Sequence, residues 1–302
     1  MRLDDYRESD NVEQQRGGGV GFGGFGGGGG LGLIFSLVAS RFGIVGIVVL
    51  VLGMMLFGMN PLSLVGGGGS PQAVQTSQRG AAQVCGADPA HRFSCRVLAS
   101  TEDTWANIFQ QNGRRYEPTT LSFYERSGQS GCGAAQSAMG PFYCPTDRKV
   151  YLDPRFFDEL TNRFNATGDF AQAYVIAHEV GHHVQDLLGT LSGIRNRQQA
   201  AGEAGANALQ VRVELQADCY AGVWAANAKT AQGQPIMEPG DAEEGLKAAS
   251  AIGDDTLQRS AGRTPVPDSF THGTSAERVA WLKRGLETGD PAKCDTFSGA
   301  IG

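Results

Sequence analysis

His178-Glu179-Val180-Gly181-His182 is the stretch of the chain whose residue types could do chemistry at their spacing. On a helix turning about 100° per residue, imidazoles four apart lie roughly 40° apart and one turn along, so they converge on one point. That is the geometry of two ligands to a divalent metal, and Glu179 between them is offset toward the same cavity, where a general base would sit. The plainer reading is an amphipathic helix with histidines on its wet side. With only five histidines in the chain, their placement around a glutamate makes coincidence a poor explanation. His183, roughly 140° from His178, falls in the apolar sector and reads as a hydrogen-bonded core histidine.

A zinc hydrolase needs a third protein ligand and one position left open for water. His182 is followed by HVQDLLG, so the extended HExxHxxGxxH pattern does not supply that ligand. The best candidate is Glu214, in a long helical run from Ala206 to about Ala228. Asp218, one turn later, could accept the free N–H of a ligand histidine and fix its tautomer. Ala221 and Ala225 continue that face and would permit close helix approach. Glu203 is the rival ligand, but Gly202 and Gly205 make its backbone soft, and an ordinary solvated acidic face is the bland alternative. The oxyanion of a tetrahedral intermediate also needs a donor. His272 is the candidate, just before Thr274-Ser275-Ala276-Glu277, a capping box opening the last helix. Arg278 could play the same part, and His272 could equally do no more than hydrogen-bond the backbone at the helix start.

Several elements must position these groups. Asp169 followed by Gln172 reads as a capping box after Gly168, and Ile176, Val180, Val184 and Leu187 form the apolar stripe of a helix over 169–188. Residues 188–205 are a Gln/Gly/Ala-rich insertion between the two metal helices and read as a mobile flap. Residues 120–126 and 149–153 are the clearest strands, separated by a glycine-rich loop closed by Cys132 and Cys144, and an extended peptide could add to an exposed edge there. Cover for the helices is an equal alternative for them. Trp105 and Phe109, four apart, read as core aromatics of an early helix.

The head of the chain is different. Of 44 glycines, 20 fall between Gly17 and Gly69, where a packed core cannot be built. Residues 1–30 read as a disordered polar, then glycine-rich, tail. Residues 31–65 read as a membrane-spanning segment, with 42–59 free of ionisable residues. Those eighteen residues reach about 27 Å, close to the thickness of the hydrocarbon layer. Arg2, Arg7, Arg16 and Arg41 precede the apolar run and no basic residue follows it before Arg79, which predicts a cytoplasmic amino end and an extracytoplasmic domain. Residues 66–83 read as a flexible linker and 84–302 as the folded domain. From residue 66 onward the chain carries 21 basic and 26 acidic side chains, no footing for nucleic acid. All six cysteines lie after the apolar run, as expected of disulfides in an exported domain. Local spacing suggests Cys85 with Cys95 and Cys132 with Cys144, leaving Cys219 for Cys294.

HEVGHHVQ followed by ELQADCYAGVW, with GPFYCPTDRKVYLD before and SFTHGTSAERVAWLKRGLETGDPAKCDTF after, resembles the bacterial neutral zinc metallopeptidase family over almost the whole chain. The resemblance implies a zincin-type fold and peptidase chemistry. The expectation is therefore an α+β, mainly helical domain behind a single N-terminal transmembrane helix in the bacterial inner membrane, anchored through 42–59. It would use Zn²⁺ held by His178, His182 and Glu214 to hydrolyse peptides or proteins, with Glu179 as general base. The alternatives are a catalytically silent, tethered adaptor with a structural zinc site, and a zinc amidase acting on cell-wall peptides.

Overall fold

The computed structural model describes residues 1–15, 76–77, 80–137 and 140–301. The expected membrane span and most of the expected linker lie outside the described residues. Among the described residues no helix is long and apolar enough to cross a membrane.

The architecture is α+β and mainly helical. A five-stranded sheet has the order β2-β1-β3-β7-β6, with β1 at Val12–Gln15, β2 at Thr76–Ser77, β3 at Thr120–Phe123, β6 at Phe142–Cys144 and β7 at Lys149–Leu152. β1 and β7 both run parallel to β3, while β2 and β6 are antiparallel edges. The expected strands 120–126 and 149–153 are thus interior, and the edge that an extended peptide could meet is β6. β4 (Ser127–Ser130) and β5 (Gly133–Gln136) form a separate hairpin, and Cys132 in its turn is bonded to Cys144 of β6. Leu121, Phe123, Val150 and Leu152 point into the main core, whereas Tyr124, Tyr151 and Ala135 form a small second cluster. Burial on both faces accounts for the near-continuous apolar runs in these strands.

Nine helices are described: α1 Ala81–Cys85, α2 Pro89–Gln111, α3 Phe156–Asn162, α4 Asp169–Leu187, α5 Thr190–Ala200, α6 Glu203–Asn227, α7 Asp241–Ala251, α8 Asp254–Ser260 and α9 Ser275–Thr288. On α2, Asp88 caps the amino end and Pro89 opens the helix, and Trp105 and Phe109 are buried as their spacing predicts. Helix α4 carries HEVGH and packs against α6, which in turn packs along α9. The packing is close because side chains are missing where backbones meet. A Cβ on Gly181 would lie 3.0 Å from the carbonyl oxygen of Ala217, and one on Gly285 would lie 2.0 Å from that of Cys219.

Three expectations need correction. The amino end of α4 is not a capping box: Gly168, at φ 109°, is the N-cap and makes no side-chain cap, and Glu244 of α7 accepts from the Phe170 N–H instead. Residues 188–205 are mostly the helix α5, anchored by buried Ile194.

The third correction concerns residues 1–15, which do not form a disordered tail. Leu3 and Val12 belong to the core, and Glu13 of β1 accepts an ion pair from Lys149 at 2.8 Å. Arg7, Ser9 and Asn11 all bond Glu102 on α2, and Arg7 also pairs with Asp103 at 2.6 Å. The polar composition that suggests disorder is a set of partners for α2 and the sheet. This has a topological consequence. Val12 pairs with Leu121 and Gln14 with Phe123 in one parallel ladder. An amino end on one side of a bilayer and the domain on the other cannot both hold with that ladder formed. The three cystines are Cys85–Cys95, Cys132–Cys144 and Cys219–Cys294, the pairing that the spacing suggests.

Candidate metal centre

Helices α4 and α6 bring together the residues expected to meet. Ligand atoms of His178, His182 and Glu214 all lie within 4.8 Å of one another. Glu214 Oε2 lies 3.2 Å from His178 Nε2 and 3.5 Å from His182 Nε2. The other carboxylate oxygen of Glu214 accepts from the Gln210 side chain at 2.8 Å, one turn back on α6. Glu203, at the start of α6, is eleven residues and so about 16 Å away along the helix, which removes it as the rival ligand.

Each imidazole is oriented from behind. His178 Nδ1 lies 2.8 Å from Asp218 Oδ1, the contact expected of Asp218. His182 Nδ1 lies 2.8 Å from Gln185 Oε1. Asp218 is fully buried and also accepts from Tyr174 Oη at 2.6 Å and from Nε and Nη2 of Arg278, both at 2.9 Å. Burial alone would raise the Asp218 carboxyl, but the charges of Arg278 and His178 outweigh it and hold it at about 2. Arg278 also donates to Tyr174 Oη, so two of its three guanidinium nitrogens hold Asp218 and Tyr174. The same side chain lines the cavity, with its Nη1 3.4 Å from the Ile252 carbonyl. Tyr174 lies one turn before His178 on the face of both histidines, a signal present in the letters. Arg278 carries no such signal, because nothing in its spacing links α9 to α4.

Two of the three ligand candidates are neutral bases when deprotonated and the third is a carboxylate held well below its usual range, chiefly by the histidines working against its burial. A largely buried nitrogen–nitrogen–oxygen set with both imidazole Nδ1 atoms already engaged fits zinc, whose tetrahedral sites use these donors. Glu179 stands beside them, buried, and burial pushes its carboxyl up from the ordinary value. The backbone of Tyr143, on edge strand β6, works against that rise. All four side chains line a cavity of about 640 Å³, whose walls also carry Phe142, Ile194 and His272.

His272 is half-exposed on that wall. Asp254, the first residue of α8, accepts the backbone N–H groups of Thr271, His272 and Gly273 and lies 3.2 Å from His272 Nδ1. The loop ends in the reciprocal Thr274–Glu277 capping box that opens α9. Asp254 was not legible as a partner because its target is eighteen residues away. His183 contacts the Glu117 carbonyl through Nε2 at 2.6 Å and Tyr143 Oη through Nδ1, the core role expected of it.

Residues 1–297 match the family described as "Putative neutral zinc metallopeptidase". The chain belongs to this family. It is 48% identical over 304 residues to the uncharacterized protein YpfJ of Escherichia coli K12, covering all of both chains. It is 44% identical over 227 residues to uncharacterized proteins of Mycobacterium bovis (Mb2605) and Mycobacterium tuberculosis (Rv2575), covering 71% of this chain and 74% of each relative. No solved structure matches. Membership makes the chain a zinc-dependent peptidase in the general sense that the family description carries, and it names zinc as the metal and a peptide or protein as the substrate class.

Proposed function

We propose that the chain is a zinc endopeptidase of the zincin type, with His178, His182 and Glu214 holding the metal and Glu179 acting as general base. The observation that carries this is the buried convergence of two imidazoles and one carboxylate on the floor of an open cavity, with a second carboxylate beside them that none of the three uses. Zinc, when bound, would act as a Lewis acid, polarising the scissile carbonyl and making water acid enough to lose a proton near neutral pH.

The chain's own residues do the rest. Glu179, raised by burial, takes a proton from the attacking water and later delivers it to the leaving amine. Asp218 keeps the Nδ1 proton of His178, so the Nε2 of that ring keeps its lone pair. His272 donates to the oxyanion from its free edge, since Asp254 engages Nδ1 and lifts the ring above its ordinary value. An extended substrate would lie along β6, the sheet edge at the cavity wall. Three disulfides support an oxidising compartment for the domain. Attachment to the bacterial inner membrane through residues 42–59 is part of this proposal. With residues 1–15 and the domain paired on one face, that segment would enter and leave the bilayer on the same side instead of crossing it once.

Replacing Glu179 by Gln tests the mechanism. Zinc content should persist while cleavage of a peptide library falls roughly 10²–10⁴-fold. Equal cleavage by both proteins removes the mechanism, and no cleavage by either supports a silent adaptor. Release of cell-wall peptides alone supports the amidase reading.

A further inference from the structure

The oxygen and nitrogen ends of a carboxamide are told apart by their partners. Gln185 is fully buried. One end of its carboxamide lies 2.8 Å from the Val213 backbone carbonyl. A carbonyl only accepts, so that end is Nε2. The same Nε2 donates to Gln216 Oε1 at 3.0 Å. Gln216 is fixed in the same way, because its own Nε2 lies 2.9 Å from the Cys294 carbonyl. The Gln185 Oε1 is therefore the end that meets His182 Nδ1 at 2.8 Å. An amide oxygen cannot donate, so Nδ1 carries the proton. A neutral imidazole has one N–H only, which leaves the lone pair on Nε2, the atom that faces Glu214.

We infer that Gln185 is the positioning residue for His182, and that its direction is set by a one-way chain of donors ending at the Cys294 carbonyl. Cys294 is bonded to Cys219 of α6, so the tautomer of one ligand histidine is tied to a covalent anchor of the carboxy-terminal segment. The use of an amide here has a reason in charge. The centre already buries the carboxylates of Glu179, Glu214 and Asp218. A further carboxylate behind His182 would add a fourth negative group where burial makes charge costly. Gln185 fixes the proton without adding charge, and its Nε2 also ties α4 to α6.

The inference rests on the proposed zinc site, and its test separates the two. Zinc affinity of the full-length protein is measured by chelator competition for the unaltered chain, Gln185→Leu, Gln185→Glu and Gln216→Leu. Gln185→Leu, which removes the acceptor, should weaken zinc by roughly 10–100-fold, in the range seen when a ligand's orienting partner is lost. Gln185→Glu keeps an oxygen for Nδ1 and should recover part of that loss. Gln216→Leu leaves Gln185 anchored by Val213 alone and should cost less than Gln185→Leu. In parallel, nitrogen chemical shifts of His182 are read by NMR in zinc-free protein, at a pH above the imidazole titration. The unaltered chain should show the Nδ1–H form, and Gln185→Leu a mixture. A folded Gln185→Leu protein with unchanged zinc affinity, or an Nε2–H form in the unaltered chain, overturns the inference. Should Gln185→Leu fail to fold, Gln216→Leu decides, and unchanged His182 shifts with unchanged zinc affinity there overturn it. If the unaltered chain takes up no zinc, the zinc reading falls while the nitrogen shifts still decide the tautomer.

Discussion

At the scale of single residues, the centre is built from groups that hold protons tightly until a metal displaces them. Burial alone would lower the His178 ring, but Asp218 and then Glu214 outweigh it and lift it to about 10. His182 is also raised, because Glu214 outweighs its burial. A raised value means that the metal-free form keeps its protons through the neutral range, and zinc must expel them to bind. Zinc affinity should therefore fall as pH is lowered from about 9 to about 6, and chelator competition across that range measures the slope. Asp218→Asn removes the largest charge that raises His178, so the slope should flatten. It also strands Arg278, which is 3% exposed and otherwise neutralised by Asp218. Loss of one partner from a buried pair costs about 3–5 kcal/mol, which a denaturant midpoint would record.

Elements meet in this protein where side chains are absent. Gly285 of α9 faces the Cys219 carbonyl across the crossing with α6, and a Cβ there would collide with backbone, which cannot swing aside as a flexible side chain could. Gly285→Ala should destabilise the protein by about 1–3 kcal/mol or more, the cost of overpacking a tight contact. The same change should weaken zinc binding, because α9 carries the guanidinium that holds Asp218. A normal midpoint for the variant would show that the crossing has slack. The crossing also marks the limit of what the letters disclose. His178, His182, Glu214 and Asp218 were legible because each pair lies on one helix at one-turn spacing, and periodicity reports such pairs directly. Gln185, Arg278 and Asp254 act across helices or loops, and no local pattern encodes a contact between distant segments. The strands at 120–123 and 149–152 were legible from their apolar runs. β6 was not, since three residues ending in a cystine carry too short a pattern to read.

For the molecule as a whole, the decisive feature is the amino-terminal segment. Its charged and amide side chains have the composition of a solvated tail, yet Glu102 alone collects hydrogen bonds from Arg7, Ser9 and Asn11. Composition describes what a segment can do by itself, and here the partners lie some ninety residues away. In intact cells, Asp5→Cys and Glu203→Cys should react alike with a membrane-impermeant maleimide, since both positions are exposed on one folded unit. Labelling of one and protection of the other would mean that β1 leaves the sheet in the membrane. The same ladder bears on the covalent continuity of the chain. Because Val12–Gln15 is hydrogen-bonded between β2 and β3, a nick anywhere from residue 16 to residue 75 would leave a two-fragment enzyme held by its sheet. Cuts at both ends of that stretch would free the protein from whatever the stretch is bound to without dismantling the metal centre.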